Sequence, residues 1–263
     1  MNDRKTVVVT GATRNTGLAV VRKFLSEGWN VVLTSRERQN AESTASDLQC
    51  EYPDSLVLGY ELELDNMNGI RDLFTEVGNK LGSIDAFVAN AADLAVGLSI
   101  LNTTPEDYDR VMNCNLKGNY FCCQQAARWM KQGGSIVIVS SIHANGSIWG
   151  RALYSTSKAG LNALVRCIAV ELGHLGIRAN SLIAGAIWSH RWDEQAPEIT
   201  AARRAQYPSG RESKPDEIAA SVYFLCTDDA KTITGTEMTV DSGLTVCLLP
   251  YQNQKKEEWP ENW

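Results

Sequence analysis

The chain contains no apolar run approaching the roughly 18 consecutive residues that a helix needs to cross a bilayer, so a membrane protein is not expected. It also lacks a basic excess. Its 25 lysines and arginines face 31 acidic residues, and no long basic stripe is available to track a phosphate backbone, which argues against nucleic acid as a partner. Histidine is scarce, with three residues and none at metal-ligand spacing, and the seven cysteines (Cys50, Cys114, Cys122, Cys123, Cys167, Cys226, Cys247) form no CxxC pair. No metal is expected. Set mostly among apolar neighbours, the cysteines read as buried free thiols in a reducing compartment. The start, MNDRKTVVVTGAT, turns β-branched without an apolar signal segment, so the expected location is the cytoplasm.

Linkers rich in proline, glycine or serine and internal repeats are absent as well, so the 263 residues are expected to form one domain. Apolar, β-branched runs recur between stretches of helical period: TVVVT at 6–10, NVVLT at 30–34, SLVLGYELEL at 55–64, IDAFVAN at 84–90, SIVIVSS at 135–141, IRANSLIAG at 177–185 and EMTVDS at 237–242. Near-continuous apolar strands alternating with helices predict an α/β fold, a doubly wound parallel sheet of about seven strands with helices on both faces. Two segments fall outside the rhythm. Residues 188–214 are expected to form a substrate lid, and residues 248–263 a tail carrying Trp259 and Trp263, either frayed or docked on a neighbouring subunit. Directly after the first strand, TGATRNTGLAVVRKFLSEG places Gly11 and Gly17 around a turn into an amphipathic helix. Such a turn can be a phosphate cradle at a helix N-terminus, or an ordinary strand-to-helix turn whose glycines supply positive φ.

TGxxxxxG at 10–17, Asn90 with Ala91 and Ala92, YxxxK at 154–158 and Ala184–Gly185 occur in the order of one family. From about Thr6 to Gly243 the chain resembles the short-chain dehydrogenases/reductases, which implies a single-domain Rossmann-type fold over residues 1–247. Asn15 replaces the middle glycine of the family loop, and since asparagine tolerates the left-handed region the loop is expected to keep its shape. Alanines at 89, 92 and 184 are further departures. The resemblance assigns Gly11, Thr13, Arg14, Asn15, Thr16, Gly17, Asn90, Ala91 and Gly185 to the cofactor site. It also gives Glu63 and Leu64 to the adenine, Ile187 to the carboxamide through its backbone, and Ser189 to a phosphate. The second strand ends in Ser35 and Arg36 rather than an acid, so an anion is expected there, and with Arg14 the resemblance implies NADP(H).

Tyr154 and Lys158, at i and i+4 on a helix beginning near Arg151, share one face. An ammonium beside a phenol, helped by the positive ring of oxidised cofactor, is expected to lower the phenol's proton affinity until tyrosine serves as acid or base near neutrality. Ser141, at the end of the fifth strand, can hydrogen-bond the same substrate oxygen. This trio suits hydride transfer between a carbonyl and a secondary alcohol. By resemblance Lys158 also binds the nicotinamide ribose, and Asn115 orders a water that relays protons to it. His143, Asn145, Trp149, Trp188, His190 and Trp192 are expected to wall the pocket, a mixture suited to a sugar, polyol or oxoacid, with a 3-oxoacyl thioester or a steroid or aryl ketone as alternatives. A binding protein that senses NADP is the non-enzymatic alternative, and the family pattern implies a homodimer or homotetramer.

Overall fold

The structure, a computed structural model, describes residues 4–131, 133–189, 192, 195–249 and 251–253. Seven strands form one sheet: β1 (Thr6–Val9), β2 (Asn30–Ser35), β3 (Val57–Glu61), β4 (Ala86–Ala89), β5 (Gly134–Ser141), β6 (Ile177–Ala184) and β7 (Glu237–Val240). All six pairings are parallel, in the order β3-β2-β1-β4-β5-β6-β7. The central strands are apolar at nearly every position because both faces are covered, so successive side chains enter two different cores. The chain runs outward from β1 to β3 and then returns to β4 beside β1. That reversal opens a crevice above the carboxyl ends of β1 and β4, the place where doubly wound sheets take ligands.

On one face lie α1 (Asn15–Ser26), α2 (Arg38–Glu51) and α8 (Pro215–Cys226), packed over Val7, Val9, Val31, Leu33, Val137 and Leu182. Phe24 of α1 meets Trp29 and Tyr223 edge-on at 5.0 and 5.2 Å, which fixes α1 against α8. On the other face, α3 (Met67–Leu81), α5 (Asn119–Arg128) and α6 (Ala152–Leu172) pack over Val8, Val32, Phe87, Ile136, Ile138 and Ala179. Between α4 (Pro105–Met112) and α5 the helix widens into a π-helical turn, Asn113–Gly118.

The expected strands and single sheet are present, with shorter bounds. The run at 55–64 yields only Val57–Glu61, because the Leu62 N–H still reaches Ser35 O and the chain then turns, Asn66 N–H donating to Glu63 O. Cysteine burial is a partial correction. All seven thiols are free, and Cys122, Cys123 and Cys226 are buried, but Cys50 lies exposed near the end of α2 and Cys167 on the outer face of α6. The segment at 188–214 contains a helix, α7 (Pro197–Arg204). Its end is tied down where buried Glu212 accepts two hydrogen bonds from Arg204, at 3.0 and 2.7 Å. His190 and the tail from residue 254, with Trp259 and Trp263, lie outside the described residues.

Candidate active site

The turn after β1 is held from the neighbouring strand. Asn90, just past β4, donates through Nδ2 to Thr10 O (3.0 Å) and Gly11 O (2.9 Å), while Thr10 Oγ1 accepts from the N–H groups of Asn90 and Ala91, both at 3.1 Å. Gly11 has φ +63° and Asn15 φ +47°, so asparagine does adopt the left-handed conformation that the family loop gives to glycine. A methyl group at Gly17 would meet Gly11 O at 2.3 Å, which makes this turn a close approach that only glycine allows. No side chain caps the start of α1 at Arg14, leaving first-turn N–H groups to an anion. Thr13 and Thr16 are half-buried beside it and Arg14 is exposed. These residues fit a dinucleotide pyrophosphate.

Further along the crevice, Ser35 Oγ accepts from the Glu37 N–H at 3.3 Å, and Arg36 is exposed. Glu63 is exposed and Leu64 buried; a Cβ at Gly118 would lie 2.1 Å from Leu64 O, so Gly118 lets the π turn pack on that carbonyl. Gly185 is required by the β7 end, where a Cβ would meet Asp241 Cα at 2.8 Å. Ile187 then bridges to Ser213, Trp188 N–H donates to Ser213 O at 2.8 Å, and Ser189 is buried.

At the chemical end, α6 begins at Ala152, so Tyr154 and Lys158 stand in its first two turns on its buried face. Tyr154 is 9% exposed and Lys158 3%, with Nζ 5.6 Å from the tyrosine ring centroid and donating to Val139 O at 2.8 Å. The Ser141 hydroxyl lies beside the phenol and favours its ionised form, while Ser141 Oγ accepts from the His143 N–H at 3.2 Å. Burial pushes the Tyr154 phenol above its ordinary value, against smaller lowering effects of Ser141 and Arg151, and burial brings Lys158 down to about 8. The expected lowering of tyrosine is thus not built into the protein alone, where desolvation exceeds the neighbouring charges. His143 stacks edge-on to Tyr154 at 5.8 Å and is held below its ordinary value by burial and by Arg151, so it is neutral near pH 7.

Asn115 is fully buried and engaged at both polar atoms of its side chain. Its Oδ1 accepts from the Asp93 N–H (2.7 Å), and its Nδ2 donates to Asp93 O (2.8 Å) and Ser157 Oγ (3.1 Å). Ser157 in turn donates to Tyr154 O at 2.8 Å. The Asn115 carbonyl accepts from Asn119 Nδ2 at 2.7 Å. Through these bonds Asn115 ties the π turn to the start of α6. Thr10, Ser157 and Asn119 were not singled out from sequence; Thr10 and Ser157 lie inside the motifs quoted above, which was the one signal available.

Of the expected pocket wall, Trp149 is 82% exposed and Asn145 donates to Glu237 at 3.2 Å. Trp192 lies under the Arg203 guanidinium, 3.6 Å from its ring centroid.

A glycine turn that fits a pyrophosphate at the strand-order reversal, with a buried Tyr–Lys pair and a serine at the carboxyl edge of β5, is the arrangement of a nicotinamide-dependent oxidoreductase. Residues 11–245 match the family model described as enoyl-(acyl carrier protein) reductase. The chain belongs to the short-chain dehydrogenase/reductase family. It is 31% identical over 244 residues to meso-2,3-butanediol dehydrogenase of Serratia marcescens, covering 92% of this chain and 95% of the relative. It is 34% identical over 256 residues to L-rhamnose 1-dehydrogenase (NAD(P)(+)) of Azotobacter vinelandii, covering 93% and 98%. With the crystal structure of gox2181 it shares 29% identity and a TM-score of 0.86, over 93% of this chain and 97% of that one.

Proposed function

We propose that the protein is an NADP(H)-dependent oxidoreductase interconverting a carbonyl and a secondary alcohol, with Tyr154 as acid and base. The observation that carries this reading is the Tyr154–Lys158 pair, buried at the sheet edge with the Ser141 hydroxyl beside the phenol. When bound, the nicotinamide supplies or accepts the hydride. Tyr154 gives its proton to the substrate oxygen as negative charge develops there, and Ser141 donates a hydrogen bond to that oxygen. The Lys158 ammonium, in a site largely closed to water, stabilises the phenolate left behind. Asn115 and Ser157 hold the first turn of α6 in register for the transfer.

The choice of NADP(H) rests on Arg36 and Arg14, both exposed and without ion pairs among the described residues, at a strand end with no acid at 35 or 36. For substrate, the reading is a small polar carbonyl or alcohol such as a sugar, polyol or oxoacid. It is supported by the similarity to a diol and a sugar dehydrogenase and by a neutral His143 beside Tyr154. One observation favours a second reading, a 3-oxoacyl thioester or a steroid or aryl ketone. The loop after β4 is joined to the start of α6 by Gly97 N–H to Gly150 O (3.2 Å), and around that junction Val96, Ile100, Leu101, Ile148 and Trp149 are all exposed. We further propose a homodimer or homotetramer working in the cytoplasm, supported by the exposed apolar Val170, Leu248 and Leu249; no helix among the described residues is long and apolar enough to cross a membrane.

The test is a panel of sugars, polyols, oxoacids, 3-oxoacyl thioesters and steroids followed by cofactor absorbance with NADPH and NADP+. Turnover of a polar ketone or alcohol supports the first reading, turnover confined to the apolar substrates supports the second, and cofactor binding without turnover of any would make the protein a cofactor sensor.

A further inference from the structure

Helix α6 carries an asparagine on the face that meets the sheet. Asn162 is 3% exposed, and neither its Nδ2 nor its Oδ1 has a hydrogen-bond partner. Two hydroxyls on the sheet are in the same condition: Ser140 Oγ on β5 and Ser181 Oγ on β6, at 3% and 0% exposure. They share a side of the sheet. Ile136 and Ile138 of β5 and Ile177 and Ala179 of β6 pack into the core beneath α5 and α6, and alternation along each strand sends Ser140 and Ser181 the same way. The register pairs Ser181 with Ile138 and Ser140 with Ile183, so the two hydroxyls are diagonal neighbours on adjacent strands.

Lys158 gives the height of the helix above these strands, since its Nζ sits on Val139 O. Asn162 follows Lys158 by one turn on the same face, and α6 runs back from the end of β5 to the start of β6. Asn162 therefore stands over the level of Ile138 and Ser181, and helical side chains lean toward the N-terminus, which tilts its amide toward Lys158. Four unpaired polar atoms so placed are costly unless something joins them, and they supply the two to four partners that an internal water requires. Val139 O takes one of the three donors of the ammonium, and no other hydrogen bond reaches it among the described residues.

We propose that Asn162, Ser140 and Ser181 hold an internal water between α6 and strands β5 and β6, and that through it Asn162 is a positioning residue giving the Lys158 ammonium an acceptor. The second half rests on the function proposed above; the water site does not. The titratable groups facing Lys158 are Tyr154 on its own helix and Cys114 from the π turn. Strands β4 and β5 carry no charged side chain, and Arg178 of β6 points away, donating to Leu225 O, Thr227 O and Ile233 O. Asn162 thus has no charged competitor on the sheet side.

A high-resolution crystal structure of the full chain should show an ordered water bonded to Asn162 and to Ser140 or Ser181. A dry site, or Asn162 bonded directly to a serine, overturns the proposal. In steady-state assays Asn162→Leu should move the alkaline limb of kcat down by about one pH unit, a roughly tenfold loss at that limb with little change at low pH, because an acceptor of the charged form is gone. Asn162→Ser, which keeps an oxygen and leaves room for water, should restore most of the limb, and Ser181→Ala should shift it less in the same direction and serve if Asn162→Leu does not fold. A water present in the crystal with a pH profile unmoved by these variants overturns the link to Lys158. Failure of the acid–base reading would show separately, as turnover retained by Tyr154→Phe.

Discussion

A single methyl group at Gly17 tests the cradle. Its Cβ would lie 2.3 Å from Gly11 O, 2.7 Å from Asn90 Nδ2 and 2.8 Å from Ala12 Cα. Carbon–oxygen contacts rest at about 3.3 Å or more, so loop and helix must part by roughly 1 Å. None of the three atoms is the free end of a flexible side chain: two belong to backbone, and Asn90 is pinned to Thr10 O and Gly11 O. Overpacking of this kind costs about 1–3 kcal/mol, and weakening the Asn90 bonds adds about 1 kcal/mol. The same movement carries the first-turn N–H donors of α1 away from the phosphate, and a misplacement of about 1 Å in a positioned contact is worth on the order of a hundredfold. Gly17→Ala should therefore melt lower than wild type and bind NADPH on the order of a hundredfold more weakly in a fluorescence titration. The control is Gly173→Ala, at φ −58° with nothing within 4 Å of the new carbon, which should bind normally and be as stable or slightly more so. If Gly17→Ala bound NADPH within about threefold of wild type, the turn would not be the phosphate site.

Other outcomes are expected. Tyr154→Phe should lower kcat by about 10²–10⁴-fold while leaving NADPH binding nearly intact; turnover above about a hundredth of wild type counts against tyrosine as the acid. Arg36→Asp should move the NADP(H)/NAD(H) preference toward NAD(H) by on the order of a hundredfold, and an unchanged ratio would sink the assignment of the 2′-phosphate. Burial holds folded-state Lys158 near 8, below its ordinary 10.5, so the unfolded chain binds more protons between those values. Its cost to stability is then fully present below pH 8 and is relieved as pH rises toward 10.5. Lys158→Met should thus be inactive yet melt higher than wild type at pH 7, with the gap closing by pH 10; a gap independent of pH contradicts the argument. Hydrogen exchange in residues 195–214 should slow on forming the ternary complex while the sheet changes little, and equal protection in both states would make the segment a fixed wall.

Much of this was legible in the sequence for identifiable reasons. Strands such as SIVIVSS stand out because both of their faces are buried, and Tyr154 and Lys158 align because a helix brings i and i+4 together. The positive φ of Asn15 followed from its place in the loop. The π turn at Asn113–Gly118 has no periodic signature, so the hold of Asn119 on the Asn115 carbonyl was hidden, as was the link from Asn115 through Ser157 to Tyr154. Within residues 188–214, read as a lid, helix α7 was not legible because it has no buried residue to mark a face, and its anchor, buried Glu212 with Arg204, pairs residues that composition places at the surface. The burial that raises the proton affinity of Tyr154 in the protein alone was hidden, because spacing shows the neighbouring charge and not the depth.

The sheet divides the interior into two separate bodies of packing, and the division follows the labour of the site. The α1–α2–α8 layer backs the turn proposed to receive phosphate, while the α3–α5–α6 layer backs the helix that carries Lys158, and Tyr154 itself packs with Ala95, Val111 and Leu153 beside that layer. Damage to the protein should therefore sort by side. A truncated side chain at Phe24 or Val222 loosens the grip on the nucleotide and leaves the proton donor in place, whereas one at Leu161 or Val165 slackens the reacting groups around a cofactor still held. Random variants that survive folding would then fall into two kinetic families, one rescued by raising the cofactor concentration and one that no excess of cofactor restores.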